Sequence, residues 1–178
     1  HGRLDLLVNC VGIQREESLL EVSEAAFDEV VSTNLKSAMF LAQACARHQG
    51  RGGKQIHLLS VRSQLGMRGF GYSAYCATKH GVLGLVRAAA VELAGTGVTV
   101  NAVCPGYVNT PMTDGAVEAI TSKTSLSTDE ARARLEQMQP IGRLITVEEV
   151  SRVVAMLIAD SGAITGQGIN VDGGAVLS

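Results

Sequence analysis

Apolar runs alternate with longer segments of mixed polarity along this chain. Residues 4–12, LDLLVNCVG, form a nearly continuous apolar run that ends in Asn and Gly. This pattern is typical of a strand that is buried on both faces of a parallel sheet. Residues 54–60 and 98–106 predict two further strands, and residues 166–174 predict a short last strand.

The segments between these strands are long enough to be helices. Residues 23–48 predict a helix capped by its first serine, residues 73–94 predict one rich in small residues, and residues 146–160 open with a capping box. Residues 111–139 are polar and helix-prone, with no strong apolar stripe. Strands that alternate with helices of crossover length predict an α/β fold with a parallel sheet.

Composition narrows the class of protein. The 178 residues suffice for one domain with a sizeable core, and no Pro/Ser-rich linker divides them, so we expect residues 1–178 to form a single domain. The net charge of −2, without a basic block, gives no support to nucleic-acid binding. No apolar run has membrane-spanning length and no signal peptide opens the chain, so we expect a cytoplasmic protein without a membrane partner.

Cysteines and histidines show no metal-binding spacing. Cys10, Cys45, Cys76 and Cys104 form no C-x-x-C pair and lie in apolar or small-residue settings. We therefore expect four buried free thiols in a reducing compartment. The four histidines have no H-x-x-x-H arrangement, so we expect no metal site.

The stretch YSAYCATK, residues 72–79, sets a phenol next to a cation. Tyr75 and Lys79 are four residues apart and share one face of a helix, whereas Tyr72 is two turns away from the lysine. A nearby positive charge favours the phenolate, which makes Tyr75 a candidate proton donor and acceptor. The competing interpretation is an ordinary pair on a helix surface.

Asn34 lies within an apolar stripe of the predicted helix 23–48. A buried amide needs partners, since leaving it unpaired costs about 1–3 kcal/mol. It is either a structural asparagine or an amide that bends the helix and holds a water. Its apolar helical neighbours are Phe27, Val30, Val31, Ala38 and Leu41.

Polar or small residues follow the predicted strands. Ser60 ends the second strand, and the ranges 9–12 and 105–106 end the first and the third. Ligands of open α/β sheets bind beyond the carboxyl ends of the strands, so these residues should line one crevice. Ser63 is a weaker candidate for the role of Ser60.

Taken in order, these motifs resemble the short-chain dehydrogenase/reductase family. NCVG resembles the N-N-A-G turn of the family, and the asparagine, serine, tyrosine and lysine follow in the family's order. The matching segments are 9–12, STNLKSAMF around Asn34, HLLS and YCATK, 101–112 with its P-G-x-x-x-T pattern, and 164–174.

The resemblance implies a Rossmann-like, doubly wound parallel sheet that is incomplete in this chain. The first strands of the family fold, and the Gly-rich turn that holds the pyrophosphate, have no counterpart here. It also implies an oxidoreductase that uses NAD or NADP, a small carbonyl or alcohol substrate, and a homodimer or homotetramer. We expect the chain to be a piece of a longer enzyme rather than a natural truncated protein.

The resemblance further implies a role for each matching side chain. Tyr75 passes a proton to or from the substrate oxygen, and Ser60 hydrogen-bonds that oxygen. Lys79 lowers the pKa of Tyr75 and holds the nicotinamide ribose. Asn34 holds a water that links the lysine to solvent. The remaining cofactor contacts are Asn9, Gly12, Pro105, Gly106, Val108 and Thr110.

Two departures from the family pattern affect these expectations. Cys10 and Val11 replace the second Asn and the Ala of N-N-A-G. The interval from Ser60 to Tyr75 is longer than is commonest in the family, so we expect a reshaped loop. By resemblance, residues 111–139 are a substrate lid, and their size favours a 3-oxoacyl thioester or a similar carbonyl compound.

Two other functions compete with the oxidoreductase. A catalytically silent assembly protein would keep only the dimerising part of the fold, and the absent phosphate-binding elements favour it. A family offshoot that carries out halohydrin dehalogenation would have Arg where Lys79 stands, so this lysine argues against it.

Overall fold

The computed structural model describes residues 2–66 and 71–176. Its four strands form one parallel sheet in the order of the sequence, which confirms the predicted α/β class. Each predicted strand is present but shorter, because strand pairing ends before the flanking turns. The strands are β1 (Leu6–Asn9), β2 (Lys54–Leu58), β3 (Thr99–Pro105) and β4 (Gly168–Val171).

Strand β1 is not buried on both faces, and that prediction was wrong. Leu7 and Asn9 are buried, whereas Leu6 and Val8 are 37% and 36% exposed. In the described ranges β1 pairs with β2 alone, so it is an edge strand, and the face that carries Leu6 and Val8 is partly exposed. The apolar run is therefore continuous in sequence but alternates in burial.

Six α-helices connect or flank the strands in the described residues. The predicted helix 23–48 is interrupted by a π-helical segment, Val31–Lys36. The α-helices are α1 (Glu24–Val30), α2 (Ser37–Ala46), α3 (Ser73–Leu93), α4 (Pro111–Lys123), α5 (Thr128–Gln137) and α6 (Val147–Ala159). The predicted caps are present: Ser23 accepts a hydrogen bond from the backbone N–H of Ala26, and α6 begins with a capping box.

Helices cover both faces of the sheet, as in a doubly wound fold. Val100, Ala102 and Cys104 of β3 pack with α3, whereas Val103 lies in a cluster with α6. This alternation follows from the two-residue period of a strand. Phe27, which we placed in the apolar stripe around Asn34, is 41% exposed, because α1 leaves part of its surface uncovered.

Helices α4 and α5 share an apolar interface that their polar composition concealed. The cluster contains Ala116, Val117, Ile120, Ala131, Leu135 and Leu144, all buried. The prediction that residues 111–139 have no strong apolar stripe was therefore wrong. The interface escaped notice because it is built from few and partly small apolar residues in two short helices.

The four cysteines are free, but their burial differs. Cys45 and Cys104 are buried, Cys76 is half-buried and Cys10 is exposed. The prediction of four buried thiols was wrong for Cys10, because this residue follows the edge strand. None of the described helices is both long and apolar enough to span a lipid bilayer.

Candidate active site

An open cavity of about 700 Å³ lies at the carboxyl ends of the strands. This is where parallel α/β sheets place their ligands. Most residues that the sequence assigned to a site lie in its wall: Gly12, Ser60, Tyr75, Lys79, Pro105, Gly106, Val108 and Thr110.

Tyr75 and Ser60 meet in this wall. Tyr75 is buried in the first turn of α3, and the side chain of Ser60 lies close enough to its phenol to favour the phenolate. Burial raises the pKa of Tyr75 to about 12, against the opposing influences of the Arg62 charge and the Ser60 side chain. The sequence predicted a lowered pKa, but desolvation outweighs the neighbouring charges.

Ser63, the alternative to Ser60, lies behind the wall rather than in it. Its hydroxyl donates to the backbone carbonyl of Ser60 at 2.6 Å and lies 3.5 Å from the sulfur of Cys104. The hydroxyl of Ser60 accepts the backbone N–H of Arg62 at 3.3 Å, which caps a short 3₁₀ turn over Val61–Ser63. The geometry therefore places Ser60, not Ser63, in the cavity wall with Tyr75.

Lys79 lies one helical turn after Tyr75, with its ammonium nitrogen 5.5 Å from the centre of the tyrosine ring. The side chain is buried, and desolvation lowers the pKa of Lys79 to about 8. Within the described residues its hydrogen-bond acceptor is the carbonyl of Leu58, at 3.3 Å. An ammonium has three N–H donors, so two remain for a bound molecule.

Asn34 lies buried in the π-helical segment. The backbone N–H of Ser37 reaches back to the carbonyl of Ser32, which marks the widened turn. The amide of Asn34 accepts the N–H of Ile13 at 2.8 Å, and donates to the carbonyl of Ile13 at 2.9 Å and to Thr78 at 3.2 Å. Asn34 thus ties the loop after β1 to α3. The water that we assigned to it stays a prediction.

Gly12 leaves the space that Lys79 occupies. A Cβ atom at this position would lie 3.2 Å from the ammonium of Lys79 and 3.6 Å from the side-chain oxygen of Asn34. A side chain here would therefore crowd the lysine. Val108 lies across the cavity, and its carbonyl accepts the hydroxyl of Thr113 at 2.5 Å, which holds the loop that precedes α4.

Asn9 does not line the cavity, although we expected a cofactor contact there. Its neighbours Val8 and Cys10 lie in the wall, whereas the side chain of Asn9 lies 3.2 Å from a ring nitrogen of His57 and accepts the N–H of Val11. Strand alternation turns Asn9 toward the interior. His57, which the sequence did not single out, is buried, and desolvation together with the charge of Lys79 lowers its pKa to about 4.

Arg62 and Tyr107 also belong to the site and were missed. Both line the cavity, and the guanidinium of Arg62 donates to the hydroxyl of Tyr107 at 2.6 Å. The sequence gives only a weak indication of these two residues. Arg62 follows Ser60 by two positions, and Tyr107 directly follows the Pro-Gly pair. In the described part of the chain, no three His, Cys, Asp or Glu side chains converge as metal ligands would.

Known proteins resemble the chain over nearly all of its length. A family model described as enoyl-(acyl carrier protein) reductase matches residues 1–176. A 3-oxoacyl-(acyl-carrier-protein) reductase from Thermotoga maritima is 36% identical over 180 residues, which is 99% of this chain and 68% of the relative.

Solved structures agree with this result. The crystal structure of an actinorhodin polyketide ketoreductase variant with NADPH superposes with a TM-score of 0.90 at 35% identity, over 97% of this chain and 67% of the other. A short-chain dehydrogenase/reductase from Serratia marcescens gives 0.84 at 30% identity, over 98% of this chain and 66% of the other. The chain thus spans about two thirds of each of these proteins, and it belongs to the short-chain dehydrogenase/reductase family.

Proposed function

We propose that the protein is an NAD(P)-dependent oxidoreductase that interconverts a ketone and a secondary alcohol. The observation that carries this proposal is the placement of Ser60, Tyr75 and Lys79 in the wall of one cavity, with the ammonium of Lys79 5.5 Å from the centre of the Tyr75 ring. The names of the similar proteins, a 3-oxoacyl reductase and a polyketide ketoreductase, support the reaction type.

Tyr75 and Ser60 hydrogen-bond the reacting oxygen of the substrate. In the direction of reduction, the carbonyl oxygen accepts hydrogen bonds from both hydroxyls, and the carbonyl carbon gains a hydride. The proton of the Tyr75 phenol moves to the oxygen, which completes the alcohol and leaves a phenolate. The nicotinamide cofactor, when bound, supplies the hydride. Oxidation of the alcohol runs through the same groups in reverse.

Lys79 suits the binding of a nicotinamide ribose. Two of its N–H donors have no acceptor among the described residues, and Gly12 leaves the adjoining space open. The positive charge also favours the phenolate that proton transfer creates. Pro105, Gly106, Val108 and Thr110 in the opposite wall would contact the rest of that group. Either NAD or NADP fits this part of the site, and the similar ketoreductase was crystallised with NADPH.

The proposed substrate is a 3-oxoacyl thioester or a related carbonyl compound. The first turn of α4 contributes Met112 and Thr113 to the cavity wall, and Ala116 extends it by one turn. An apolar wall of this kind suits an acyl chain better than a sugar. The helices within residues 111–139 would act as a lid over the substrate.

A homo-oligomer is the proposed assembly. Several apolar side chains on α1, α2 and α3 are exposed, which suits burial against a second subunit. They are Phe27, Met39, Phe40 and Val91. The placement of Ser60, Tyr75 and Lys79 around one cavity favours the enzyme over the catalytically silent assembly protein, which would need no such arrangement.

The testing experiment is a fluorescence titration of the purified protein with NADH and with NADPH, with the intact mass checked on the same sample. Saturable binding of one of them supports the proposal, and its absence in a folded sample contradicts it. Turnover of a 3-oxoacyl thioester is then compared between the protein and Tyr75→Phe. General acid–base catalysis contributes about a hundredfold to ten-thousandfold, so the variant should lose that much activity while binding the cofactor as before. Retained turnover would exclude Tyr75 as the proton donor.

A further inference from the structure

Arg62 is a buried charge that the proposed chemistry does not use. It is 4% exposed and lies in the wall of the cavity, two residues after Ser60. Burying a charge is costly unless it is paired. Within residues 2–66 and 71–176 no carboxylate forms an ion pair with Arg62. The guanidinium must therefore be stabilised in another way.

Aromatic rings take the place of a carboxylate. The central carbon of the guanidinium lies 3.6 Å from the centre of the Tyr72 ring and 5.7 Å from that of Tyr107, within the range of cation–π interactions with both rings. One terminal nitrogen donates to the hydroxyl of Tyr107 at 2.6 Å. These contacts hold the charge in place without neutralising it.

The third tyrosine of the chain is Tyr75, and it adjoins this cluster. Its ring centre lies 6.5 Å from that of Tyr72, the ring against which the guanidinium of Arg62 packs. The backbone N–H of Arg62 also donates to the hydroxyl of Ser60, which lines the cavity together with Tyr75. Arg62 therefore also holds the turn that presents Ser60 to the cavity.

The other terminal nitrogen of Arg62 is buried and has no hydrogen-bond partner in the described residues. A group of this kind is rare in folded proteins and calls for an explanation. An uncompensated charge acts on its neighbours, and among the influences that lower the pKa of Tyr75 the charge of Arg62 is the largest. The other titratable or charged groups around Tyr75 and Arg62 are Glu16, Tyr72, Cys76, Lys79 and Tyr107.

Arg62 and Lys79 differ in the pH range over which they stay charged. Burial lowers the pKa of Lys79 to about 8, so the ammonium loses its proton under mildly alkaline conditions. A guanidinium stays protonated throughout this range. Arg62 is therefore the cation that can still act on Tyr75 when the lysine is neutral.

We propose that Arg62 is a positioning residue, whose guanidinium, held by Tyr72 and Tyr107, stabilises the phenolate of Tyr75 during proton transfer. This inference rests on the proposed function, in which Tyr75 transfers the proton. Its consequence is a pH dependence of turnover that is set by Arg62 as well as by Lys79.

The first test compares the pH profiles of kcat and kcat/KM for the protein, Arg62→Met, Arg62→Lys and Arg87→Met. Arg62→Met removes the charge. The limb of the pH profile that reports the ionisation of Tyr75 should then move to higher pH by about one unit or more. Arg62→Lys keeps a charge and should move it less. Arg87→Met removes the same charge from an exposed position on α3 and should leave the profile unchanged. Equal shifts for Arg62→Met and Arg62→Lys, or an unshifted Arg62→Met, would overturn the inference.

A second test does not depend on activity, so it separates failure of this inference from failure of the proposed function. Difluorotyrosine, whose phenol is more acidic than that of tyrosine, is incorporated into the protein and its variants. Fluorine NMR then resolves the three tyrosines, and the signal missing in Tyr75→Phe identifies residue 75. The titration of that signal should move to higher pH in Arg62→Met. An unmoved titration refutes the role of Arg62 whether or not the protein turns over a ketone.

Discussion

The corner of the site and the helix pair α4–α5 are stabilised in different ways. The corner consists of the buried or half-buried polar side chains of Asn34, His57, Ser60, Arg62 and Tyr75. Of the two helices, α4 lines the cavity. In the corner, buried polar groups depend on partners far away in sequence, as when Arg62 donates to Tyr107 and Asn34 to Ile13. Some buried polar atoms there, such as a nitrogen of Arg62, have no partner in the described residues.

The helix pair follows ordinary rules of stability. Helix α5 begins with a capping box between Ser127 and Glu130, and its buried side chains are apolar. Each polar group of that box finds its partner within one helical turn. The comparison shows that buried polar groups without a partner occur at the corner, whereas the capping box of α5 is satisfied locally.

The largest effect on folding is expected from Leu135→Ala in α5. Leu135 is fully buried, and such truncations cost about 2–5 kcal/mol because they leave a cavity. Urea unfolding should show this loss, and the amides of α4 and α5 should exchange hydrogen faster. Leu20→Ala is the matched control, since Leu20 is 96% exposed. Equal losses for the two variants would show that α4 and α5 do not share a stabilising interface.

Asn34→Leu tests the corner in the same way. It removes the hydrogen bonds to both backbone groups of Ile13 and to Thr78, and should cost about 1–3 kcal/mol in the free energy of unfolding. Asn34→Asp keeps an acceptor for the N–H of Ile13 but loses both donors, so its loss should be of similar sign. If Asn34→Leu were as stable as the protein, the amide would not hold the loop after β1.

The stability of the corner should depend on pH through His57. Burial and the charge of Lys79 lower the pKa of His57 to about 4, below its ordinary value of 6.5. Between these values the unfolded chain binds more protons, so the contribution of His57 is complete above pH about 6.5 and is lost as the pH falls toward 4. The loss is at most about 1.4 kcal/mol per pH unit.

Variants separate the contribution of His57 to the free energy of unfolding from the contribution of the carboxylates. His57→Gln should flatten the stability curve between pH about 6.5 and 4, whereas His80→Gln, which alters an exposed histidine, should leave its slope unchanged. A curve of the same slope for the protein and His57→Gln would mean that His57 is not held neutral by the fold.

The smallest expected effect is the loss of a helix cap. Ser127→Ala removes the acceptor for the N–H of Glu130 and should destabilise α5 by about 1 kcal/mol, measured by thermal unfolding. Ser125→Ala alters an exposed serine two residues earlier, outside the capping box, and serves as the control. A loss of stability well above this value would mean that α5 depends more on its surroundings than its capping box suggests.

Local patterns predicted most of the secondary structure. The alternation of strands and helices along the chain, the capping box at Thr146 and the crevice at the strand ends all depend on residues close to one another in sequence or on general rules of parallel sheets. The sequence predicted one helix over 23–48 and left open whether Asn34 bends it, and the structure interrupts that helix with a π-helical segment. The apolar α4–α5 interface and the partly exposed face of β1 escaped prediction, because burial depends on which other element packs there.

The sequence by itself determined the α/β class and the positions of Ser60, Tyr75 and Lys79, because short-range spacing and strand ends are encoded locally. Only the tertiary structure decided that Ser60 rather than Ser63 lines the cavity with Tyr75, and that Asn9 turns toward His57 instead of the cavity. It alone brought Arg62 against two tyrosines that are separated by 35 residues in sequence. The physical reason is that desolvation and electric fields depend on distances through space, which the spacing of residues along the chain does not specify.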